Sequence, residues 1–491
     1  MSLARSPVPL PALIPALALV LGPSCTGSPE SPVVPGIAEP FPGARGGVER
    51  ILAAARKDDR AWNRLAELCD TFGPRPAGST AYLAAARWAA DRMRDDGLDR
   101  IRLEPVEVDA WERGAESLVL LEPHGPRPLP VTALGGSVGT PPGGIEAELL
   151  VVHDFDELDR RGEEARGRIV LLDHPMETRE DMFRAYGDAV KYRWSGASRA
   201  ARHGALAVLV RSVTTRSLRT VHTGQMGYEK GVPRIPAAAI STEDSAMLAR
   251  LAARGVPLRV LLRLGARAVG RRPCPNVVAE LPGRELPDEF VVVGAHLDSW
   301  DLGNGAMDDG GGVILALETA RLLRELGLVP RRTVRVVLFA GEEIGGLPGG
   351  HAYVDAHRDE LDRHVAALES DAGTFHPTGF TVRAGPEARE RLARFVRLVA
   401  GKGTLDLREG GGGPDVSPLG AAGVPALGLR TDSTHYFDFH HSPADMPEAV
   451  PDRDLRESLG AFAALAWLIA EDPEPLPRPA GDAGGTRPSS R

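Results

Sequence analysis

Two short runs of β-branched residues interrupt an otherwise mixed pattern: Phe290-Val291-Val292-Val293-Gly294-Ala295, and Thr333-Val334-Arg335-Val336-Val337-Leu338-Phe339-Ala340. Runs of this length, with Gly and charge at their ends, read as strands of a parallel sheet buried on both faces. Between them, residues 313–326 repeat apolar positions with helical period. The three segments therefore predict a strand–helix–strand unit. His296-Leu297-Asp298 closes the first run, Asp308-Asp309 precedes the helix, and Glu342-Glu343 follows the second run. Open α/β sheets bind ligands at the carboxyl ends of their strands, so these residues fall where a site is expected.

The rest of the chain divides by the same criterion. Residues 48–56 and 61–71 have helical patterns, and Phe72-Gly73-Pro74-Arg75-Pro76-Ala77-Gly78 makes a break. Ser79 is then the expected N-cap of a helix to about 96. Residues 100–108 and 116–122 alternate as strands. From 113 to 267 short strands (149–153, 168–172, 205–211, 258–264) mix with helical stretches (156–166, 192–202, 242–253). That block carries no clustered metal-type ligands and reads as an inserted domain between peptidase-type parts at 48–112 and 268–472. Residues 26–47 are rich in Pro, Gly and Ser and read as a flexible tether, and 473–491 as a disordered tail. The expected fold is α/β, with a mixed, mostly parallel sheet flanked by helices.

At 491 residues the chain is long enough for more than one domain of about 150 residues. A net charge of −9 and the lack of a basic stripe argue against nucleic acid. Lysine occurs only at 57, 191, 230 and 402, so arginine supplies nearly all positive charge. Arg5 precedes an apolar, proline-broken run over 10–21, which fits a secretory signal in residues 1–25. Ser24-Cys25-Thr26 is similar to a lipoprotein cleavage site, which would make Cys25 a lipidation site; otherwise Cys25 leaves with the signal. The expected location is exported: periplasmic, anchored to the outer membrane through Cys25, or secreted. Cys69 and Cys274 are too few for a disulfide framework; they either pair or stay as buried thiols.

The clustered His, Asp and Glu side chains form a hard O/N set with no cysteine, which suggests a divalent metal, zinc first. Five segments in order then resemble a known family: His296-Leu297-Asp298-Ser299-Trp300-Asp301, Gly305-Ala306-Met307-Asp308-Asp309-Gly310-Gly311-Gly312, Gly341-Glu342-Glu343, Glu369-Ser370-Asp371, and His440-His441-Ser442. They are similar to the co-catalytic zinc exopeptidases, the clan of leucyl aminopeptidases and glutamate carboxypeptidases, and most of all to the plasma glutamate carboxypeptidase (carboxypeptidase Q) branch. In the insert, Ser137-Val138-Gly139-Thr140-Pro141-Pro142 and His222-Thr223-Gly224 carry the likeness further.

The resemblance implies two Zn2+ per chain. One would be held by His296, Asp308 and Asp371, the other by Asp308, Glu343 and His441, with Asp308 as bridge. Glu342 is left to take a proton from a metal-bridging water and pass it to the leaving amine. Asp298 would orient His296, and a cis Asp308–Asp309 peptide is expected. His441 is preferred to His440 because it directly precedes Ser442-Pro443-Ala444-Asp445; His440 would pack or touch substrate. Tyr436 is a candidate oxyanion donor and Asp415 a candidate substrate residue, each with a bland alternative as a packed aromatic and a turn Asp. The insert resembles a protease-associated α+β domain that roofs the cleft. The expected substrate is a small peptide, and a homodimer is implied by the branch. His351, His357, His364 and His376 have no matching role and are expected at the surface.

Each motif has an ordinary reading too. An Asp pair among glycines is usually a solvated turn, and a Glu pair after a strand usually starts a helix. Gly135-Gly136-Ser137-Val138-Gly139 matches a nucleophile elbow, but that elbow needs a helix after it, and Pro141-Pro142 cannot open one there. The rivals are a binding protein of the same fold without catalysis, a glutaminyl-cyclase-like acyltransferase, and a serine esterase using Ser137.

Overall fold

The computed structural model describes residues 39–478. Its main sheet has eight strands, in the order Asp99–Glu104, Asn276–Leu281, Arg332–Phe339, Leu286–His296, His364–Glu369, Ala426–Thr431, Pro377–Arg383 and Asp406–Glu409. The four central strands run parallel, and antiparallel pairs flank them on both sides. The β-branched runs lack alternation because both faces are covered. Val291 and Val293 enter the large core shared with helices Gly311–Glu325 and Asp452–Glu471. Val292 enters a smaller core on the other face, with Tyr353 and Leu419.

The segment between Glu116 and Leu264 builds a second eight-stranded sheet. Its strands Ile145–Val152, Ile169–Leu172, Ala207–Arg211 and Ala237–Ile240 are parallel neighbours. It has apolar cores of its own on both faces. Helix Met182–Arg202 packs on one of them and Thr242–Ala253 on the other. A two-stranded ribbon, Glu107–Glu112 with Arg267–Pro273, leads into and out of this segment.

Several sequence expectations are corrected. The single strand over 100–108 is two, broken at Pro105, whose missing N–H cannot serve a ladder; one half joins the main sheet and the other the ribbon. The tether expected to reach 47 ends earlier, because Ala44–Ala55 is a helix. Gly47 lies there against Trp467, whose ring would stand 2.0 Å from a Cβ at that position. The helix over 156–166 is two short ones, and the helix at 192–202 starts at Met182, capped by Asp181. The tail begins later than 473, since Leu476 is buried and Arg391 donates to the Pro475 carbonyl at 3.0 Å. Residues 1–38, with Cys25 and the signal, and 479–491 lie outside the described residues. Ser79 does cap its helix, accepting from the Tyr82 N–H at 3.0 Å. Cys69 and Cys274 are buried free thiols. Among the described residues, no helix is long and apolar enough to cross a membrane.

Candidate active site

The candidate ligands arrive at one edge because consecutive parallel strands end there. His296 is the last residue of its strand, Glu342 and Glu343 follow the strand ending at Phe339, and Asp371 lies two residues past Glu369. Asp308 and Asp309 sit in the turn Ala306–Gly310 and share a cis peptide. His440 and His441 follow the short helix Tyr436–Phe439. His296 Nε2 lies 3.2 Å from Asp308 Oδ1 and 3.5 Å from Asp371 Oδ1. His441 Nε2 lies 3.2 Å from Asp308 Oδ2 and 3.1 Å from Glu343 Oε2. Five donors thus form two triads that share Asp308.

This set fits a pair of divalent ions. Ligand bonds of ~2.0–2.1 Å in a tetrahedral site place neighbouring donors about 3.3 Å apart, which is the spacing found within each triad. Glu343 Oε1 is buried with no partner, an arrangement that costs free energy unless a cation supplies one. Burial opposes ionisation of Asp308, yet the His296 and His441 imidazoles hold its carboxyl well below the usual range. Burial pushes Glu343 well up, with the Asp308 charge adding to it.

Glu342 differs from its neighbour. Both line the cleft, but Glu343 turns its carboxylate to His441. Burial, with the charges of Asp371 and Asp308, pushes Glu342 up to about 8 against the pull of His296. Asp298 plays a different part from the one expected. The His296 Nδ1 meets the backbone carbonyl of Asp298 at 2.9 Å, and the carboxylate is 3.8 Å away. That carboxylate instead accepts from the N–H groups of Gly341 (2.7 Å), Glu342 (3.3 Å) and Glu343 (3.2 Å). It therefore shapes the loop that carries base and ligand. Asp309 turns inward and accepts from the His296 and Gly312 N–H groups.

His440 stacks on His441, with ring centroids 3.5 Å apart, and its Nε2 is 3.7 Å from Asp308 Oδ2. It thus lies within reach of the cluster but farther than His441. Tyr436 lines the cleft, its phenol raised well above its ordinary value by burial and by the charges of Asp308 and Asp371. Asp415 is not an exposed turn residue: it is fully buried, both carboxylate oxygens lack partners, and it lies behind the cluster beside Glu369. Ser137 is buried too, and its Oγ is occupied by the Val138 carbonyl and the Ala237 N–H, which disposes of the esterase reading. His351 and His376 are exposed, but His357 and His364 are buried in a polar cluster under the sheet, where Tyr353 and Glu360 claim them.

Two supporting residues escaped the sequence reading. Arg75 is fully buried and donates to the carbonyls of Leu297 (2.9 Å), Asn304 (2.6 Å) and Gly305 (2.9 Å), tying the loop after His296 to the Asp308 turn. Between two prolines it looked like loop punctuation, and nothing local distinguishes it. Asp445 accepts from the N–H groups of Ala306, Met307 and Asp308. Its place in the Ser442-Pro443-Ala444-Asp445 motif was the available signal.

The cleft over these groups holds about 390 Å³, the size range of small-ligand sites. The second sheet's segment supplies Phe183, Tyr186, Arg193, Trp194 and Gln225 to its walls, so the two sheets close on one cavity.

Comparison with known proteins agrees with this geometry. The profile described as "Peptidase family M28" matches residues 276–466. Carboxypeptidase Q from Homo sapiens is 40% identical over 428 residues, 87% of this chain and 89% of that protein. Carboxypeptidase Q from Xenopus laevis is 41% identical over the same shares. The crystal structure of a peptidase M28 precursor from Shewanella amazonensis superposes with a TM-score of 0.85 at 36% identity, covering 89% of this chain and 99% of that one. The zinc aminopeptidase of Bacillus subtilis, with a TM-score of 0.62 at 23% identity over 84% of this chain and 96% of its own, shares the fold.

Proposed function

The chain belongs to peptidase family M28 and is a zinc metallopeptidase, and from that premise we propose that it is a di-zinc exopeptidase of dipeptides or other short peptides. His296, Asp308 and Asp371 would hold one ion, and Asp308, Glu343 and His441 the other. Two bound zinc ions would bring the pKa of water to about 7 and polarise the scissile carbonyl.

The chain's own groups supply the rest. Glu342, unclaimed by any ligand pair, accepts a proton from the attacking water. It then returns that proton to the departing amine nitrogen. The Tyr436 phenol, kept protonated by burial, donates to the carbonyl oxygen as charge develops there. Asp298 holds the Gly341–Glu342–Glu343 backbone so that the base faces the cleft and the ligand faces His441. The roof from the second sheet limits the cleft to short substrates.

One observation carries this reading: Asp308 stands 3.2 Å from both His296 and His441, dividing five donors into two triads and leaving Glu342 free. Zinc titration of chelator-stripped protein tests it. Activity should return in step with about two equivalents; full recovery at one equivalent would overturn the two-ion reading. The apolar run of residues 10–21 further supports export, with Cys25 as lipid attachment point. Cys25→Ser should then move the protein from the detergent phase to the aqueous one.

A further inference from the structure

Helix Met182–Arg202 of the second sheet's segment runs between two cavities. Phe183 and Tyr186, three apart and so on one side of the helix, line the catalytic cleft of about 390 Å³. Lys191, Ser195, Ser198 and Arg202, spaced by three and four, line a second cavity of about 710 Å³ on the insert. Among the described residues, Trp194 is the one that lines both.

Its indole spans the seam between the insert and the catalytic part. A Cβ on Gly227 would stand 2.9 Å from Trp194 Cε2 and Nε1, so this edge of the ring rests on the insert's own backbone, a close approach that glycine permits. A Cβ on Gly345 would stand 3.7 Å from Trp194 Cη2 and Cζ3. The far edge therefore reaches the turn that follows the base and the ligand, where the Gly345 N–H donates to the Glu342 carbonyl at 2.8 Å. Trp194 is nonetheless 48% exposed. It bridges a gap and is not packed into a core.

The second cavity suits the continuation of a peptide. Asp154, Lys191 and Glu229 stand there beside the rings of Tyr192 and Tyr228. The Arg199 Nε is buried in that wall with no partner, a donor that a main-chain carbonyl would satisfy.

We propose that Trp194 is the stop that sets substrate length. Its indole closes the cleft against the polar cavity beside it, and a smaller side chain at this position joins the two into one groove that takes peptides longer than two residues. An extended chain advances roughly 3.3–3.6 Å per residue, so residues beyond the cleft meet the indole first and the second cavity next. The proposal rests on the exopeptidase reading above and adds the residue that limits its substrate.

The test measures kcat/KM of zinc-loaded protein for a dipeptide and for tetrapeptides that extend it at either end. The ratio of the two is the readout, so that a general loss of activity cancels. Wild type should favour the dipeptide. In Trp194→Ala the ratio should fall by about 10- to 200-fold, the discrimination an apolar pocket wall supplies, and Trp194→Phe should lie between. A half-exposed helical position tolerates alanine, the best helix former; should that variant still fail to fold, Trp194→Leu and Trp194→Phe decide by the same ratio. Adding Ser195→Trp to Trp194→Ala refills the second cavity and should restore the dipeptide preference. A preference that survives in Trp194→Ala, or a gain for tetrapeptides that Ser195→Trp leaves untouched, would overturn this assignment alone. A wild type that cleaves no peptide, or cleaves tetrapeptides as well as dipeptides, would sink the reading above and this one with it.

Discussion

One strand carries two buried clusters of charge, and they are built on opposite terms. Arg335, within Arg332–Phe339, donates to Glu280 at 3.0 Å, to the Tyr353 hydroxyl at 3.0 Å and to Glu360 at 2.6 Å. Its guanidinium also stacks over the Phe290 ring at 3.7 Å. His357 bridges Glu360 and Glu104, and His364 closes on Tyr353. Every claimed atom has its partner. A few residues along, the same strand feeds Glu342 and Glu343 into a cluster with too many carboxylates, where Glu343 Oε1 and both Asp415 oxygens have none. The first cluster is complete as a protein structure; the second is complete only with cations. An unbalanced buried charge, more than a buried charge as such, marks the functional end of this sheet.

The sharpest way to break that contrast is to neutralise one member of each cluster. Glu342→Gln should lower kcat by about 10²–10⁴-fold, the usual worth of proton transfer, with zinc content and unfolding midpoint unchanged. Zinc loss in this variant would make Glu342 a ligand and reverse its assignment with Glu343. Arg335→Met should do the opposite. Removing one partner of a buried pair costs about 3–5 kcal/mol, visible in denaturant unfolding, while zinc content holds.

The two clusters should also respond to pH with opposite sign. In zinc-free protein Glu342 sits at about 8, above its ordinary 4.5, chiefly through burial. The stability tied to its protonated form is full below pH 4.5 and lost as pH rises through about 8. Zinc should abolish this alkaline loss. Burial opposes it, but Arg335 and His357 hold Glu360 down at about 2. Its contribution is present above pH 4.5 and lost as pH falls toward 2, with or without zinc. Thermal unfolding from pH 3 to 9 in zinc and in chelator checks both limbs, and an alkaline loss that zinc leaves untouched would refute the first. Smallest of all, Tyr353→Phe removes one hydroxyl from the satisfied cluster and should cost about 1 kcal/mol, with kcat unaltered.

Much of the catalytic half was legible along the chain. Unbroken β-branched runs announce strands covered on both faces, because only double burial removes the polar alternation. Ligand types at the ends of those runs announced the site, since a parallel sheet gathers its carboxyl ends at one edge. The insert was harder to read. Its helix Met182–Arg202 sets Arg184, Asp188 and Lys191 among its buried Met182, Ala185 and Ala189, which blurs the apolar face, and ahead of the insert Pro105 split a strand whose alternation ran across it.

The ordered motifs 296–301, 305–312, 341–343, 369–371 and 440–442 by themselves determined the family, the sheet edge that bears the site, and the residue types gathered there. Only the tertiary structure decided which atom of each residue does the work. It gave the Asp298 carbonyl to His296 and the Asp298 carboxylate to the base-bearing loop. It buried His357 and His364, which the sequence reading placed at the surface. It also brought Arg193 from another sheet to the flank of His441. The reason is physical. Residue type and spacing constrain what lies near in the chain, whereas the partners of a buried charge are chosen by packing between distant segments, where each unmet polar atom carries its full desolvation cost.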